Sequence, residues 1–376
     1  MKIKIKIIYW LTLCLLRVTI KGSANKNVSI PRKVVIIQNA KLGDMVCTTP
    51  MFRAIKNKYP NCQIFVVGDK INKELLKGNQ DIDEYLEMSD IFSLIKKLKN
   101  EKIDFGCVTG PDFEGLVTLF LANIPLIVAP KIKRGWSPYE TKSYRLIRYF
   151  CISKPHRVGF YAPREYLKLL EPIDIFSNNT TKHLNFSIQS RVKIEKLFLN
   201  NKIQTEDLIV GISPGVGNKV KKWPEERFAQ VADFIIESYQ GKIIIIGSKN
   251  DLIESQKMLS FIKNKKKIIN FVEQLSIEEL KALISKLDLF ISVDTGPIYI
   301  AEAFGIATID IVGPMDEKEQ PPTGIKHRVI TPPNRTKAEL HIMNARVYDK
   351  EEALRQVKSI TSEMVINEVG KLIVRI

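Results

Sequence analysis

The chain has 376 residues, of which 45% are hydrophobic and 26% are charged. This length suits two domains, and this hydrophobic content excludes a disordered protein. The formal net charge of +17 fits nucleic acid, an anionic membrane or acidic substrate, or the lysine-rich composition of an AT-rich genome. We assign about half of the excess to composition. Nucleic acid is disfavoured because no zinc-finger or RNA-binding aromatic motif accompanies the charge.

Residues 1–29 form a basic and apolar extension. Lys2, Lys4 and Lys6 precede an apolar run over 7–16, which is shorter than the roughly 20 residues that cross a bilayer. Basic residues before a short apolar run are typical of a signal peptide, but no good cleavage site follows. An interfacial anchor, with its lysines facing anionic lipid, explains the same residues. We prefer the anchor, which predicts a cytoplasmic protein peripheral on the inner membrane.

Short apolar runs alternate with helical spacing over 30–200 and again over 205–345, and a helical tail follows over 346–376. This alternation predicts an α/β protein with two Rossmann-like domains, each with a parallel sheet covered by helices. The predicted strands are 34–38, 64–67, 105–109 and 126–129, then 208–213, 242–247, 267–271, 289–293, 308–312 and 327–330. The predicted helices are 50–59, 91–98, 225–239, 252–263, 277–285, 298–304 and 350–374. The segment 131–204 is less regular.

The turn after the first strand carries a candidate catalytic residue. Gly43 permits a sharp turn and places Asp44 at the carboxyl edge of the sheet, near the start of a helix. A carboxylate at this place is able to take a proton from a substrate hydroxyl. Alternatively, Asp44 only caps the helix, and the spacing does not decide between these roles. The lack of GxGxxG in this turn argues against a dinucleotide-dependent dehydrogenase.

A glycine-rich, basic loop opens the second domain. Ser213 and Gly215 follow its first strand, and Lys221 comes two residues before Trp223 and a helix. Glycines let backbone amides approach a phosphate, and a lysine offers a point charge to diphosphate oxygens. The alternative is a flexible loop that is basic by chance.

Two further strand ends in this domain carry acidic residues. Asp251 follows the second strand, where it is able to bond ribose hydroxyls, although helix capping is the favoured single role. Asp294, Thr295 and Gly296 join a buried strand to a helix, a geometry that points backbone N–H groups at a bound anion. Two such turns in one sheet predict a phosphorylated ligand, and a nucleotide in particular.

Cysteine and histidine contribute little chemistry. The five cysteines are widely spaced without CxxC, which predicts neither a disulfide framework nor a zinc site and indicates a reducing compartment. The four histidines show no metal-ligand spacing, and no GxSxG or Cys–His arrangement suggests a hydrolase. No motif requires a metal or cofactor, and a divalent cation is left open.

Together these motifs resemble those of glycosyltransferase family nine, the lipopolysaccharide heptosyltransferases. Order and spacing agree over residues 30 to 340. The matching segments are LGDMVCTTPMFRAIKNKYP (42–60), ISPGVGNKVKKWPEERFAQVA (212–232) and LISKLDLFISVDTGPIYIAEAFGIATIDIVGP (283–314). The resemblance implies the GT-B fold, in which two Rossmann-like domains have parallel sheets facing a central cleft.

The resemblance also implies a reaction, which is inverting transfer of a heptose from an ADP-sugar donor to a lipid-linked or lipopolysaccharide-core saccharide. Asp44 matches the family's general base. We include Gly43, Ser213 and Gly215 in the predicted donor site because they belong to the matching segments.

Three further positions match donor-binding residues of that family. Lys221 matches the lysine that contacts the donor phosphates. Asp294, Thr295 and Gly296 match the segment that lines the diphosphate and sugar. Asp251 occupies the place of the acidic residue that recognises the nucleoside, with a shorter side chain.

Tyr299 departs from the family's pattern, which has a histidine three residues after the glycine of DTG. Tyrosine donates one hydrogen bond but carries no positive charge near neutral pH. If the histidine serves the donor, this protein uses another sugar or is slower; if it only packs, nothing changes. Two alternatives stay open: a transferase of another nucleotide sugar or a nucleotide-sugar epimerase on the same fold, and a basic binding protein without turnover.

Overall fold

The computed structural model describes residues 2–28, 30–88 and 90–373. The chain divides into two compact units. The first consists of Met1–Lys73, Asn79–His183 and Ile342–Arg346, and the second of Glu74–Gly78, Leu184–His341 and Val347–Ile376. The domain boundaries predicted from the sequence stay predictions.

Helices and strands alternate along almost the whole chain. Up to residue 183 they are α1 (Lys2–Lys21), β1 (Lys33–Ile37), α2 (Leu42–Lys58), β2 (Gln63–Gly68), α3 (Lys70–Leu76), β3 (Glu84–Glu87), α4 (Ile91–Glu101), β4 (Phe105–Val108), α5 (Phe113–Leu121), β5 (Leu126–Lys133), α6 (Lys142–Arg148), β6 (Ile152–Arg157) and α7 (Ala162–Leu167). From residue 184 onward they are α8 (Ile188–Asn200), β7 (Ile209–Ser213), α9 (Glu225–Tyr239), β8 (Lys242–Ile245), α10 (Leu252–Phe261), β9 (Ile268–Asn270), α11 (Ile277–Ile284), β10 (Leu289–Val293), α12 (Gly296–Ala303), β11 (Ala307–Ile311), β12 (His327–Ile330), α13 (Lys350–Ser359) and α14 (Ser362–Ile373).

Within the described residues, the strands form two parallel sheets of six strands. The first has the order β3-β2-β1-β4-β5-β6 and the second the order β12-β11-β10-β7-β8-β9. Counted from its own first strand, each sheet has the doubly wound order of a Rossmann-type fold. The winding reverses between β1 and β4 and between β7 and β10, and open α/β sheets bind ligands at such switch points. The predicted α/β architecture with two parallel sheets is confirmed.

Helix α2 begins at Leu42 and contains Pro50, where the sequence predicts the helix start. A proline within a helix cannot donate to the carbonyl four residues earlier, which here belongs to Val46. The hydroxyl of Thr49 donates to this carbonyl at 2.8 Å. Because a side chain replaces the missing backbone donor, the helix continues through the proline, and the predicted start is wrong.

The first sheet extends beyond its predicted last strand. β5 continues past residue 129 to Lys133, and β6 pairs with it in parallel so that Lys133 lies opposite Arg157. The sequence of β6, ISKPHR, has no apolar run and includes Pro155. An edge strand tolerates both features because one of its sides needs no ladder partner. The segment predicted to be irregular therefore contains an edge strand.

The N-terminal helix α1 packs against α5 and α6 of the first unit. Its inner side chains Trp10 and Cys14 are buried, whereas Ile8, Leu16 and Ile20 are 63%, 54% and 75% exposed. No helix in the described ranges is long and apolar enough to cross a membrane. Met1 and Ser29, and the lysine side chains predicted to face lipid at positions 2, 4 and 6, lie outside the described residues.

The tail with predicted helical spacing over 350–374 forms two helices, α13 and α14. The indole nitrogen of Trp223 donates to the carbonyl of Ile360 between them at 2.8 Å. Val365 and Val369 of α14 belong to the core on which α9 also packs. Residue 374, the predicted end of the tail, lies outside the described residues.

Candidate functional site

The sheet of the second unit brings two predicted motifs to one switch point. β7 and β10 are neighbours, and Ser213 at the end of β7 lies in register with Ser292 of β10. The loop that follows β7 carries Lys221, and the turn that follows β10 carries Asp294. Because the carboxyl ends of parallel strands share one edge, these two loops flank the point at which the winding reverses.

Lys221 and Asp294 are in direct contact. The Lys221 Nζ lies 3.0 Å from Oδ2 of Asp294 and also donates to the Asp294 backbone carbonyl. Both side chains are largely buried, with exposed fractions of 15% and 7%. The neighbouring lysines have other partners, since Lys219 pairs with Glu254 and Lys222 with Glu225. Lys221 is therefore the lysine of this loop that reaches the end of β10.

Tyr299 completes the hydrogen bonding of the Asp294 carboxylate. Its buried hydroxyl donates to Oδ1 of Asp294, while Lys221 contacts Oδ2. Each carboxylate oxygen thus has its own donor, and the ammonium group of Lys221 is held in a defined position. This is the position at which the resemblance expects a histidine. The tyrosine donates one hydrogen bond to Asp294 and adds no positive charge.

Asp310 is a site residue that the sequence reasoning missed. It is fully buried in β11, beside Ser292 of β10, and neither carboxylate oxygen has a hydrogen-bond partner among the described residues. Burial and the nearby charge of Asp294 raise the pKa of Asp310 well above its ordinary value, against the opposing effect of Lys221. Burial of Asp310 beside Asp294 therefore favours its protonated form. The one charged residue in the strand sequence ATIDI is the signal that pointed to it.

Thr295 and Gly296 form the start of α12. Thr295 is the N-cap, but its side chain makes no capping hydrogen bond, and its Oγ1 is buried without a partner in the part of the chain that the structure describes. A helix start offers backbone N–H groups and a partial positive charge. Thr295, Gly296 and Lys221 together make a place suited to an anion.

Gly215 and Asp251 lie against each other. A Cβ on Gly215 would be 2.2 Å from Cγ of Asp251, so a side chain at residue 215 would displace the aspartate. Oδ2 of Asp251 accepts hydrogen bonds from the amide and the hydroxyl of Ser248, both at 2.7 Å. Together with the reciprocal hydrogen bond, which the Ser248 side chain accepts from the backbone N–H of Asp251, these form a capping box. Asp251 thus caps the turn that leads into α10, as favoured from the sequence, and its role toward a nucleoside stays a prediction.

In the first unit, Asp44 is the third residue of α2, and Lys41 is the N-cap. A carboxylate in the first turn of a helix is stabilised by the helix dipole. The preceding turn is braced from two sides, because Gln38 Nε2 donates to Thr48 Oγ1 at 3.0 Å and Asn72 Nδ2 to the Ala40 carbonyl at 3.0 Å. Gly43 is buried in the same turn. Two side-chain hydrogen bonds therefore tie the turn before Asp44 to α2 and α3, and the role of Asp44 as a base stays a prediction.

Asp316, Glu319 and His341 form a cluster whose possible metal-ligand atoms all lie within 4.8 Å of one another. His341 Nδ1 is 3.4 Å from Asp316 Oδ2 and 3.6 Å from Glu319 Oε1. These two carboxylates raise the pKa of His341 to about 9. With the imidazole protonated, the three side chains form an ion-pair triad. The motifs in the sequence did not indicate this cluster because His341 is distant in the sequence from the two carboxylates.

Two doubly wound parallel sheets, each with loops at the switch point of its strand order, are the architecture of the GT-B class of glycosyltransferases. The chain belongs to glycosyltransferase family 9, because the family model described as Glycosyltransferase family 9 (heptosyltransferase) matches residues 91–346. The protein is thus a glycosyltransferase, and the predicted family is confirmed.

Relatives extend over most of the chain. It is 24% identical to lipooligosaccharide heptosyltransferase 2 of Haemophilus influenzae, over 91% of this chain and 99% of that protein. It is 22% identical to lipopolysaccharide heptosyltransferase 2 of Escherichia coli, over 79% of this chain and 87% of that protein.

Solved structures share the fold at lower identity. A family 9 glycosyl transferase from Veillonella parvula has a TM-score of 0.76 at 19% identity and covers 94% of this chain and 100% of its own. The Escherichia coli ADP-heptose LPS heptosyltransferase II has a TM-score of 0.72 at 19% identity and covers 91% of this chain and 99% of its own.

Proposed function

We propose that this glycosyltransferase moves a heptose from ADP-heptose to a lipopolysaccharide-core-type saccharide, with inversion at the anomeric carbon. Family membership and relatives named as heptosyltransferases 2 and 3 support the sugar and the acceptor class. The observation that carries the proposal is the Lys221–Asp294 contact at the switch point of the second sheet, because it positions a cation where a nucleotide-sugar diphosphate binds in such sheets.

The proposed donor site stabilises a diphosphate leaving group. The negative charge that develops as the glycosidic bond breaks is met by the Lys221 ammonium, the Thr295 hydroxyl and the backbone N–H groups at the start of α12. Asp294 and Tyr299 act by holding Lys221. Ser213 and Gly215 belong to the adjoining loop, and Asp251 binds the nucleoside.

In the proposed reaction the acceptor hydroxyl oxygen forms a bond to the anomeric carbon while the bond from that carbon to the diphosphate breaks. The hydroxyl proton passes to the carboxylate of Asp44, and ADP leaves with the bonding electron pair. One base is sufficient for a single displacement, and a positioned general base contributes on the order of 10² to 10⁴ in rate.

We also propose that the protein is peripheral on the cytoplasmic face of an anionic membrane. The first acidic residue of the chain is Asp44, so the whole extension is cationic. α1 is apolar on both faces, with Trp10 in the core and Leu16 and Ile20 exposed. Exposed Tyr149 lies at the end of α6, on which α1 packs. Apolar side chains flanked by basic residues suit the interface of an anionic bilayer.

Tyr299 supports one second candidate, which is transfer of another nucleotide sugar on the same fold. A panel of ADP-, UDP- and GDP-sugars, offered with a lipopolysaccharide-core acceptor and analysed by mass spectrometry, separates the two. We expect product with ADP-heptose and inverted stereochemistry. The Asp44→Asn variant is expected to lose at least about 10²-fold in kcat while keeping donor binding. Transfer that is unimpaired in Asp44→Asn would refute the mechanism.

A further inference from the structure

Asp310 is a buried carboxyl group whose polar atoms the fold does not satisfy. Its side chain is completely inaccessible to solvent, and neither of its oxygens has a hydrogen-bond partner among the described residues. The neighbouring hydroxyl groups are engaged elsewhere, since Thr308 bonds to Nδ1 of His327 and Ser292 donates to a backbone carbonyl, both at 2.8 Å. A buried polar group without a partner lowers stability. Its presence in β11 therefore points to a role other than stability.

The fold places Asp310 beside Asp294. Ile309 and Ile311 belong to the apolar core that includes residues of α14, and side chains alternate along a strand, so Asp310 faces the opposite side of the sheet. It lies in register with Ser292 of β10, two residues before Asp294. The backbone N–H of Asp294 donates to the carbonyl of Ile311 at 3.3 Å. Asp310 thus lies one strand away from the aspartate that holds Lys221.

The charges that act on Asp310 are unequal in number. Burial and the charge of Asp294 raise its pKa, Lys221 opposes them, and Glu302 adds to the rise. The Nζ of Lys221 already lies 3.0 Å from Oδ2 of Asp294. Lys221 and Asp294 compensate each other when Asp310 is protonated, whereas ionisation of Asp310 gives these three side chains a net negative charge. The protonation state of Asp310 therefore sets the charge beneath the proposed donor site.

The other elements packed against β11 are apolar or already paired at this position. β12 presents Val329 in register with Asp310, and its Arg328 lies 3.0 Å from Glu368 of α14. On α12, the hydroxyl of Tyr299 donates to the carboxylate at the end of β10. Lys221 is therefore the cation on which the charge of Asp310 acts.

We propose that Asp310 is a positioning residue of the donor site, which leaves the charge of Lys221 available to a nucleotide-sugar diphosphate only while Asp310 is protonated. The proposal rests on the proposed function, since it assigns Lys221 to that diphosphate. An ionised Asp310 competes for Lys221 and repels the diphosphate. Donor binding is thus coupled to the uptake of one proton from solvent by the Asp310 carboxylate, and no other bond forms or breaks in this step.

Donor affinity as a function of pH tests this role without catalysis. Isothermal titration calorimetry on the full chain, without acceptor, measures binding of ADP-heptose from pH 6 to pH 9. We expect the affinity of the unchanged protein to fall at least about tenfold over this range, the effect of one charge interaction. Asp310→Asn should bind at every pH as tightly as the unchanged protein does at pH 6, because the amide is neutral. Titration in two buffers of different ionisation enthalpy should show proton uptake that this variant lacks.

Asp233→Asn is the matched control. Asp233 is a buried aspartate of α9 in the same unit, and it accepts a hydrogen bond from the backbone N–H of Lys263 at 3.1 Å. This control should keep the pH dependence of the unchanged protein. Asp310→Val is a second neutral variant and should bind independently of pH, so the test does not depend on the folding of one variant. Equal affinity of the unchanged protein at pH 6 and pH 9, or a pH dependence that both neutral variants keep, would overturn the proposal.

The same measurement separates failure of this inference from failure of the proposed function. Donor binding that depends on pH in Asp44→Asn but not in Asp310→Asn supports the role of Asp310 even if no heptose transfer is found. In a working transfer assay at pH 9, Asp310→Asn should have a lower donor KM than the unchanged protein and the same acceptor KM. An equal donor KM would refute this role and leave the reaction standing. Absence of ADP-heptose binding at pH 6 would instead refute the proposed donor, and this inference with it.

Discussion

The His341 triad predicts a stability that depends on pH. His341 lies between Asp316 and Glu319, and these carboxylates raise its pKa from 6.5 to about 9. In the unfolded chain the ordinary value applies. The folded protein therefore binds more protons than the unfolded chain between these two pKa values, and the free energy of unfolding falls as pH rises through this window. Replacing His341 with Gln removes the titrating group.

The size of this effect follows from the geometry. A pKa rise from 6.5 to about 9 corresponds to at most about 3.4 kcal/mol. The separations of 3.4 and 3.6 Å exceed hydrogen-bond length, and the imidazole is 26% exposed. Solvent screening reduces such pairs, so we expect a contribution of about 1–2 kcal/mol. It is fully present below pH 6.5 and lost as pH rises through 9.

Urea unfolding of the protein and of His341→Gln at intervals from pH 6 to 9.5 measures this contribution. The difference between the two should be largest at pH 6 and should approach its minimum near pH 9.5. His183→Gln is the matched control, since burial and the nearby Arg53 lower the pKa of His183 and its contribution has the opposite sign. A difference that is constant across the series would refute the ion-pair reasoning. Loss of stability on addition of a chelator would instead indicate a bound metal.

Three further predictions concern the second unit and the proposed membrane contact. Tyr299→Phe removes one of the two side chains that donate hydrogen bonds to the Asp294 carboxylate. The KM for the nucleotide sugar should therefore rise about tenfold, while the KM for the acceptor stays unchanged. Steady-state kinetics with both substrates varied measures the two values, and a rise in the acceptor KM alone would contradict the prediction. Asp310→Val removes a buried, unpartnered carboxyl and should raise the free energy of unfolding by about 1 kcal/mol. Because the pKa of Asp310 is raised in the folded protein above its ordinary value of 3.8, the stability gained by the variant should grow as pH rises above 3.8. Urea unfolding at pH 5 and at pH 7.5 measures this gain. A variant that is less stable than the unchanged protein at both pH values would contradict the prediction. Leu16→Ser should weaken binding to phosphatidylglycerol vesicles about tenfold in sedimentation assays, whereas Phe261→Ser should not, and equal binding by both would exclude α1 as the lipid-facing element.

Local sequence patterns determined the regular elements of this protein where a single strand or helix carries its own signal. The apolar runs of β7 and β10 predict buried parallel strands, because both faces of such strands are covered. Pro50 misled the reading of α2, because the substitute donor is a side-chain hydroxyl one residue away. β6 escaped detection because an edge strand needs no apolar run.

The candidate site was predictable to the extent that it depends on loops at strand ends. Lys221, Asp294 and Thr295 follow strands that the apolar runs reveal, and a parallel sheet brings its carboxyl ends together. The reading of Asp251 as a helix cap was also available from its place before a helix. By contrast, the sequence does not say that Tyr299 takes one oxygen of Asp294 while Lys221 takes the other.

Only the tertiary structure decided the features whose members are distant in sequence. The pKa of Asp310 is raised because the fold buries it beside Asp294, and the pKa of His341 is raised because the fold carries it to Asp316 and Glu319. Burial and the proximity of charges set these ionisation states, and neither is a property of a short segment. Residue spacing therefore determined the strands that carry an apolar run and the loops at their ends, and three-dimensional packing determined the edge strand β6 and the pKa shifts of the buried polar groups.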